Sequence, residues 1–520
     1  MSPSAPPVAS RSTILLIVGL LAYFSLFGVV RVLVSDALEL DEAEQILLAQ
    51  WWLWGYSDQP PLYTWLQAAL SRWLGDQFIA SVVLRQGLLL ATYVFVYLAA
   101  RKLLPSSQFA IAATLALMLI PQILWENQRE HTHSLLVLAL SAATLYQVFR
   151  LLERPTLAGY LVAGIFVGLG LLAKYNYLIF IAALLVALMT LPAGRRLLVD
   201  ARTIAALVLV LAVTSPHWLW LWEHMAVGSS LLAKVTADPA ETSLATGTFA
   251  LVSTAILFVT PLWLIFVVSF WRALPERRAQ DRPAPLVSLL NRYLLVVGLL
   301  LLWIVWMGDV HQVKERWLQP LLFVVPLWLF AQLDPARVPR QRVKVFSSLA
   351  IAAGLLALLV FGARVPLAGW TGDYGRLHLP VADLAEEIAA RGFDGQLIVT
   401  DHYHLAGSLR SHLPDRMLYG PRDGYHLPRP ADLAIGGAVL LVWDAARQQG
   451  IPMPLERIAQ DAGWVLDERM PSFIEAPYRY SSHLRYRLAV LEVPVNQSSS
   501  DQGQDRGAGH GALGPRAGRP

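Results

Sequence analysis

Leu38-Glu-Leu-Asp41-Glu42-Ala-Glu44-Gln45 follows directly on the first apolar run, and Gly55-Tyr56-Ser57-Asp58-Gln59-Pro60-Pro61-Leu62 comes shortly after it. The run before them is long enough to cross a bilayer, so the acids mark where the chain leaves the hydrocarbon. Carboxylates inside a membrane are costly, and a pair at its edge needs a reason. The segment around them is dense in tryptophan (Trp51, Trp52, Trp54, Trp65, Trp73), a residue that prefers the headgroup layer. An acidic pair held at this boundary suits an enzyme that deprotonates an acceptor beside a lipid-borne substrate. The plainer alternative is an acidic loop that only helps orientation, although Asp and Glu contribute little to orientation.

The rest of the chain places that segment. Of 520 residues, 56% are hydrophobic and 15% charged, whereas about 25% charged is usual for a soluble domain. Apolar residues gather into runs of roughly 17–25, so the expected class is an α-helical polytopic membrane protein with about eleven transmembrane helices. These are read at 13–34, 79–100, 108–124, 133–151, 157–173, 175–192, 202–222, 248–271, 287–307, 317–333 and 345–363. Only Lys174-Tyr175-Asn176 divides the fifth from the sixth. The pI near 9.2 does not point to nucleic acid, because the basic residues fall in short loops where they set orientation. With no cysteine in the chain, disulfides and thiolate metal sites are excluded. The N-terminal run lacks a small-residue cleavage site and reads as a retained span.

Loop charges give the orientation. With the N-terminus in the cytoplasm, inside loops carry Arg101/Lys102, Arg150/Arg154, Arg195/Arg196/Arg202, Arg272/Arg277/Arg278/Arg282 and Arg337/Arg340/Arg342/Lys344. Outside loops are poor in Lys and Arg and hold Asp36, Glu39, Asp41, Glu42, Glu44, Asp58, Glu126, Glu130, Asp309 and Glu315. This alternation follows the positive-inside rule and puts the first loop, 35–78, outside. Within it, 42–54 and 62–74 have amphipathic helical patterns, the second opened by Pro60-Pro61. Two helices lying along the membrane face would bury Trp and Leu and turn the carboxylates to water. Gly164 and Gly168 form a small-xxx-small pair suited to close helix packing. A membrane domain over 1–370 is expected to give way to a small external α/β domain over 371–494. Its strand-like runs are Gln396–Asp401, Ala438–Trp443 and Tyr486–Val493, with helical patterns near 380–392 and 402–412. The Ser/Gly/Gln/Arg/Pro-rich tail, 495–520, is expected to be disordered.

The Asp-Glu pair after the first span, followed by Gly55–Leu62, resembles the bacterial dolichyl-phosphate-mannose–protein mannosyltransferase-like family and the aminoarabinose transferases acting on lipid A. Both are GT-C glycosyltransferases. Gly170-Leu-Leu-Ala-Lys174-Tyr175 and Lys314-Glu-Arg316-Trp317-Leu-Gln-Pro320 add to the resemblance, which covers about residues 10–330. It implies a GT-C fold and an inverting transfer of a sugar from a polyprenyl-phosphate donor to an acceptor lipid, glycan or protein. The reaction would run at the outer (periplasmic) face of a bacterial plasma (inner) membrane. It also implies Asp41 as general base, with Glu42 orienting the acceptor or assisting. The leaving group is already a phosphate ester, so what the site must supply is cations for its growing charge. At two places the chain departs from the family pattern. Some relatives carry a basic residue soon after the pair, where this chain reads Ala43-Glu44-Gln45, and histidine often stands at the position of Gln59.

Phosphate contacts must therefore come from elsewhere, and external cations are few: Arg31, Arg85, Arg129, Lys174, Lys234, Lys314 and Arg316. Lys174, at the mouth between two spans, and the Lys314/Arg316 pair are the best placed. The alternatives are an interfacial snorkelling lysine and a salt bridge to Asp309 or Glu315. Arg85, inside a span, must pair with something, whether Asp41, Glu42 or a donor phosphate. Asp58 either shapes the site or is a turn residue before Pro-Pro. Tyr56 and Gln59 complete the candidate substrate contacts. His131 and His133 are two apart and do not share a helix face, which argues against a metal site. No cofactor is assigned, and a divalent metal stays open. Two other functions compete. A transporter or flippase would place its charges near the bilayer midplane and show repeated halves. An O-antigen polymerase or ligase would keep its key residues in a late external loop.

Overall fold

A computed structural model of the chain describes residues 11–224, 244–274, 284–308, 313–433, 437–466 and 470–495. Lys234, Arg277, Arg278, Arg282, Asp309 and the tail from Asn496 lie outside the described residues.

In hydrocarbon, backbone N–H and C=O groups must pair internally, so apolar runs become helices. Six described helices are long and apolar enough to cross a membrane: Arg11–Val34 (α1), Gln77–Leu103, His133–Glu153, Arg202–Glu223, Pro285–Met307 and Arg340–Ala363. Three more stretches qualify as bent pairs, Ser107–Leu119 with Gln122–Arg129, Tyr177–Met189 with Pro192–Leu198, and Ala245–Phe258 with Leu262–Ala273. Pro121, Pro192 and Pro261 stand at the three breaks, where a missing N–H interrupts the helical ladder. Every stretch expected as a span is thus largely helical, but length and composition qualify six of them, or nine with the bent pairs. Leu157–Ala173 has only 17 residues, and the stretch expected at 317–333 divides into Glu315–Leu322 and Val325–Ala331. Lys174–Asn176 separates two helices as the sequence suggests. The glycine pair also packs as expected. A Cβ on Gly164 would lie 2.8 Å from the carbonyl oxygen of Ala206, so helix Leu157–Ala173 meets helix Arg202–Glu223 almost backbone to backbone.

Between α1 and the next span come two short helices, α2 (Leu40–Leu48) and α3 (Leu62–Leu74). The Glu42 carboxylate caps the start of α2, accepting the Glu39 backbone N–H at 3.0 Å, and acids in the first turn suit the helix dipole. Pro61 precedes α3, and Gly75 ends it with φ at 75°, a left-handed turn that glycine takes without strain. The segment that follows the acids is not turned toward water, as its pattern suggested. Glu42, Gln45, Ile46, Leu47 and Leu48 are all buried. Leu47 lies in one apolar cluster with Leu384, Leu405, Leu409 and Ile398 of the C-terminal domain. That domain covers α2, so Glu42 is enclosed in protein while Asp41 and Glu44, half-buried, face a cavity.

The C-terminal domain is a five-stranded sheet of order β2-β1-β3-β5-β4. β1 (Leu397–Thr400), β3 (Gly437–Asp444) and β5 (Arg485–Val495) form at the strand-like runs. β2 (Met417–Tyr419) and β4 (Ser472–Pro477) lie at the two edges. β1 pairs in parallel with β2 and β3, while β5 runs antiparallel to β3 and β4. Helices Val381–Ala390 and Tyr403–His412 cover one face of the sheet and α2 joins them. Helix Met453–Asp461 covers the other face. Gly407 makes the junction with α2 possible, since a Cβ there would lie 2.0 Å from the Ala43 carbonyl oxygen.

Candidate active site

The acids on and beside α2 have different partners. Glu39 pairs with Arg364 at 2.6 Å and Arg376 at 3.7 Å. Glu42 pairs with Arg31 at 2.7 Å and Arg85 at 3.3 Å, all three side chains being at most 3% exposed. Glu44 pairs with Arg422 at 2.5 Å. Among the described residues, Asp41 has no such ion pair within 4 Å; its near neighbour is the Thr132 backbone, and Arg316, Lys174 and Arg85 act on it through their charge.

Asp41 opens into a cavity of about 560 Å³. The same wall holds Glu44, Asp58, Gln59, Lys174, Lys314, Arg316 and Arg422. Its other side is apolar, formed by Ile179, Leu251, Leu301, Ile304, Val305 and Leu321 from the ends of the membrane helices. Six of the nine sequence candidates therefore converge there, namely Asp41, Asp58, Gln59, Lys174, Lys314 and Arg316. Lys174 Nζ donates to Ser134 Oγ at 2.6 Å. Glu315, a suggested partner for its neighbours, instead takes a hydrogen bond from Gln122. The Gln59 side-chain oxygen has no hydrogen-bond partner among the described residues.

The other three candidates have duties outside the cavity. Arg85 donates to the backbone oxygens of Gln128 at 2.6 Å and Arg129 at 2.9 Å and faces Glu42. It thereby ties α2 to the segment that carries Thr132. Glu42 spends both oxygens on Arg31, Arg85 and the Glu39 N–H, so it holds the helix rather than a substrate. Tyr56 is buried; its hydroxyl donates to the Trp51 oxygen at 2.7 Å and accepts the Leu53 N–H at 3.1 Å. His131 and His133 likewise bond within the protein, to Asn127 and Gln319 and to Gln45 and Ala173. No group of three potential metal ligands converges among the described residues.

Burial raises the Asp41 carboxyl above its ordinary value, against the pull of Arg316, Lys174 and Arg85. Burial also lifts Glu44, to about 7, with Arg422 opposing. For Glu42 burial acts in the same direction, yet Arg31 and Arg85 outweigh it and hold the group below its ordinary range. Lys174 is pushed down to about 7 by burial and by Arg316, with Asp41 and Asp58 opposing. An acid with an open face and a raised pKa, beside several cations and apolar side chains, can take a proton next to a bound anion.

The sequence reading missed Arg422. It reaches the cavity from the C-terminal domain, with its guanidinium carbon 4.8 Å from the Tyr403 ring centre and 5.6 Å from that of Tyr425. It thus brings a cation to Glu44, where the local sequence has none. No local signal marks it, since its partner lies 378 positions away.

Helical spans, two juxtamembrane helices and a capping α/β domain around this cavity define a membrane-embedded GT-C glycosyltransferase. The chain belongs to the protein mannosyltransferase-like GT-C family. A sequence model of the dolichyl-phosphate-mannose-protein mannosyltransferase family matches residues 58–220. Two relatives from Rhizobium johnstonii align over nearly the whole chain. The lipopolysaccharide core galacturonosyltransferase RgtA is 32% identical over 88% of this chain and 90% of its own. RgtB, of the same description, is 33% identical over 91% and 96%. The fold is also that of ArnT from Cupriavidus metallidurans. Its structure bound to undecaprenyl phosphate has a TM-score of 0.59 at 13% identity, covering 93% of this chain and 98% of ArnT. Its apo structure has a TM-score of 0.57.

Proposed function

We propose that this glycosyltransferase moves a uronic acid, galacturonic acid being the first candidate, from a polyprenyl-phosphate donor to a hydroxyl of the lipopolysaccharide core. The reaction takes place on the periplasmic side of the inner membrane. Asp41 carries this reading, as the one acid of α2 left without an arginine and opening into a cavity walled by Lys174, Lys314 and Arg316. The galacturonosyltransferase relatives support the choice of sugar and acceptor, and the undecaprenyl phosphate bound to ArnT supports the carrier. The apolar wall suits the first isoprene units of such a carrier.

In the proposed step Asp41 takes the proton of the acceptor hydroxyl as its oxygen attacks the anomeric carbon. The bond from that carbon to the phosphate oxygen breaks, and its electron pair stays on the phosphate. Configuration inverts, and the carrier leaves as a polyprenyl phosphate monoester with one more negative charge. Lys174, Lys314 and Arg316 stabilise that charge, while Gln59 and Asp58 bond sugar or acceptor hydroxyls. Arg31, Arg85 and Glu42 fix the base in place. The test is transfer by the purified protein from polyprenyl-phosphate galacturonate to core oligosaccharide, wild type against Asp41→Asn. The variant is expected to lose about 10²–10⁴ of the rate. No transfer by wild type from any polyprenyl-phosphate sugar overturns the reading, and an active Asp41→Asn overturns the assignment of the base.

A further inference from the structure

The cavity contains two separate groups of cations. Lys174 and Arg316 act electrostatically on each other and on Asp41. Arg422 acts on Glu44, Tyr403 and Tyr425. Asp41 also acts on Glu44, the carboxylate that Arg422 holds. A hexose donor on a polyprenyl phosphate carries one anion, whereas a uronosyl donor carries two, the phosphodiester and the sugar carboxylate. Two groups of cations lining one cavity match the second kind of donor.

Arg422 has the build of a carboxylate receptor. Its guanidinium lies against two tyrosine rings, which fix its plane, and a planar fork recognises a carboxylate through two parallel hydrogen bonds. It already holds a carboxylate, that of Glu44, at 2.5 Å. The Tyr425 hydroxyl donates to the same Glu44 oxygen at 3.1 Å. The Arg422 side chain is 36% exposed and lines the cavity, so part of its fork is open to a second partner. Glu44 lies one helical turn from Asp41, on the same face.

We infer that Arg422, with Glu44 as its resident partner, is the specificity element for the donor sugar: it binds the uronic carboxylate, while Lys174, Lys314 and Arg316 bind the phosphate. This rests on the uronosyltransferase reading above. Glu44 keeps the guanidinium oriented when no donor is bound. Because burial has already raised its carboxyl to about 7, it can take up a proton as the sugar carboxylate arrives, leaving one net anion beside Arg422. A neutral hexose offers Arg422 nothing and leaves the pair closed.

The experiment compares wild type and Arg422→Gln with two donors on the same polyprenyl carrier, galacturonosyl and galactosyl phosphate. The ratio of kcat/KM for the uronosyl donor to that for the neutral one is expected to fall by about 10- to 100-fold, the size of a lost charge-assisted hydrogen bond to a buried partner. A second arm measures inhibition of uronosyl transfer by the bare polyprenyl phosphate, which has the phosphate and no carboxylate. Its inhibition constant should differ less than threefold between the two proteins, which also shows that the variant is folded. An unchanged donor ratio, or an inhibition constant that weakens as much as transfer does, overturns the inference and makes Arg422 a phosphate or structural group. Failure of wild type on every polyprenyl-phosphate sugar would instead overturn the broader reading.

Discussion

Asp41 differs from its neighbours in what surrounds it. Glu39, Glu42 and Glu44 each have an arginine within 4 Å, and at Glu42 two arginines hold the carboxyl below its ordinary range, which makes it a poor proton acceptor. Asp41 has burial pushing its pKa up and cations at longer range pulling it down. A base must be ionised to act, so activity falls as pH drops through its pKa. With that pKa raised, the acid limb of the kcat/KM profile is expected above the ordinary aspartate range, near 3.9. A pH series in detergent reads it directly, and Asp41→Glu should move the limb while Asp58→Asn should not. Glu42 gives the opposite case. Glu42→Gln leaves Arg31 and Arg85 buried without their counter-charge, and breaking a buried pair from one side costs about 3–5 kcal/mol. A lowered midpoint in thermal unfolding is the expected result. The sequence could single out Asp41 and Glu42 because the cue is local, two acids at the end of an apolar run. That local cue does not tell their roles apart; the resemblance assigned them, and the difference in their surroundings depends on which of them Arg31 and Arg85 reach.

The juxtamembrane helices show where local pattern suffices and where it stops. Pro60-Pro61 and Gly75 frame α3, and the expected 62–74 is the observed helix. α2 is also where amphipathicity suggested it, though shorter, and its orientation was the error. A helix with apolar residues on one side and acids on the other looks like one lying at a lipid surface, but here a protein domain covers it. The helix Tyr403–His412 approaches closely because residue 407 is glycine. Gly407→Ala has no room beside the Ala43 carbonyl, so overpacking should cost about 1–3 kcal/mol and displace α2. Activity is expected to fall more than stability, since a shift of about 1 Å in a catalytic group can cost about 100-fold. β2 and β4 escaped the sequence reading for a different reason. The first is three residues long, and the second is an edge strand ending in Pro477, so neither offers a sustained alternation.

The whole chain brings three parts to one cavity: the loop after the first span, the ends of later membrane helices, and the C-terminal domain. Hydropathy and loop charge gave the membrane class and an orientation, while the closing of the domain over α2 depends on contacts no local pattern encodes. The orientation has a direct check, because the chain contains no cysteine. Asp415→Cys and Arg154→Cys each introduce one thiol at an exposed position, in the C-terminal domain and at the opposite end of the spans. A membrane-impermeant maleimide added to spheroplasts is expected to label the first and not the second. The bond between Glu44 and Arg422 also has a consequence in time. Its two halves are 378 residues apart, and a ribosome adds about 5–20 residues per second. Roughly 20–75 s therefore separate the synthesis of the two, and during that interval the nascent chain has Asp41 and Glu44 but not Arg422. On the donor-selection proposal, a half-made enzyme in the membrane would have Asp41 without Arg422, so selection of the sugar would begin only once the C-terminal domain has closed over α2.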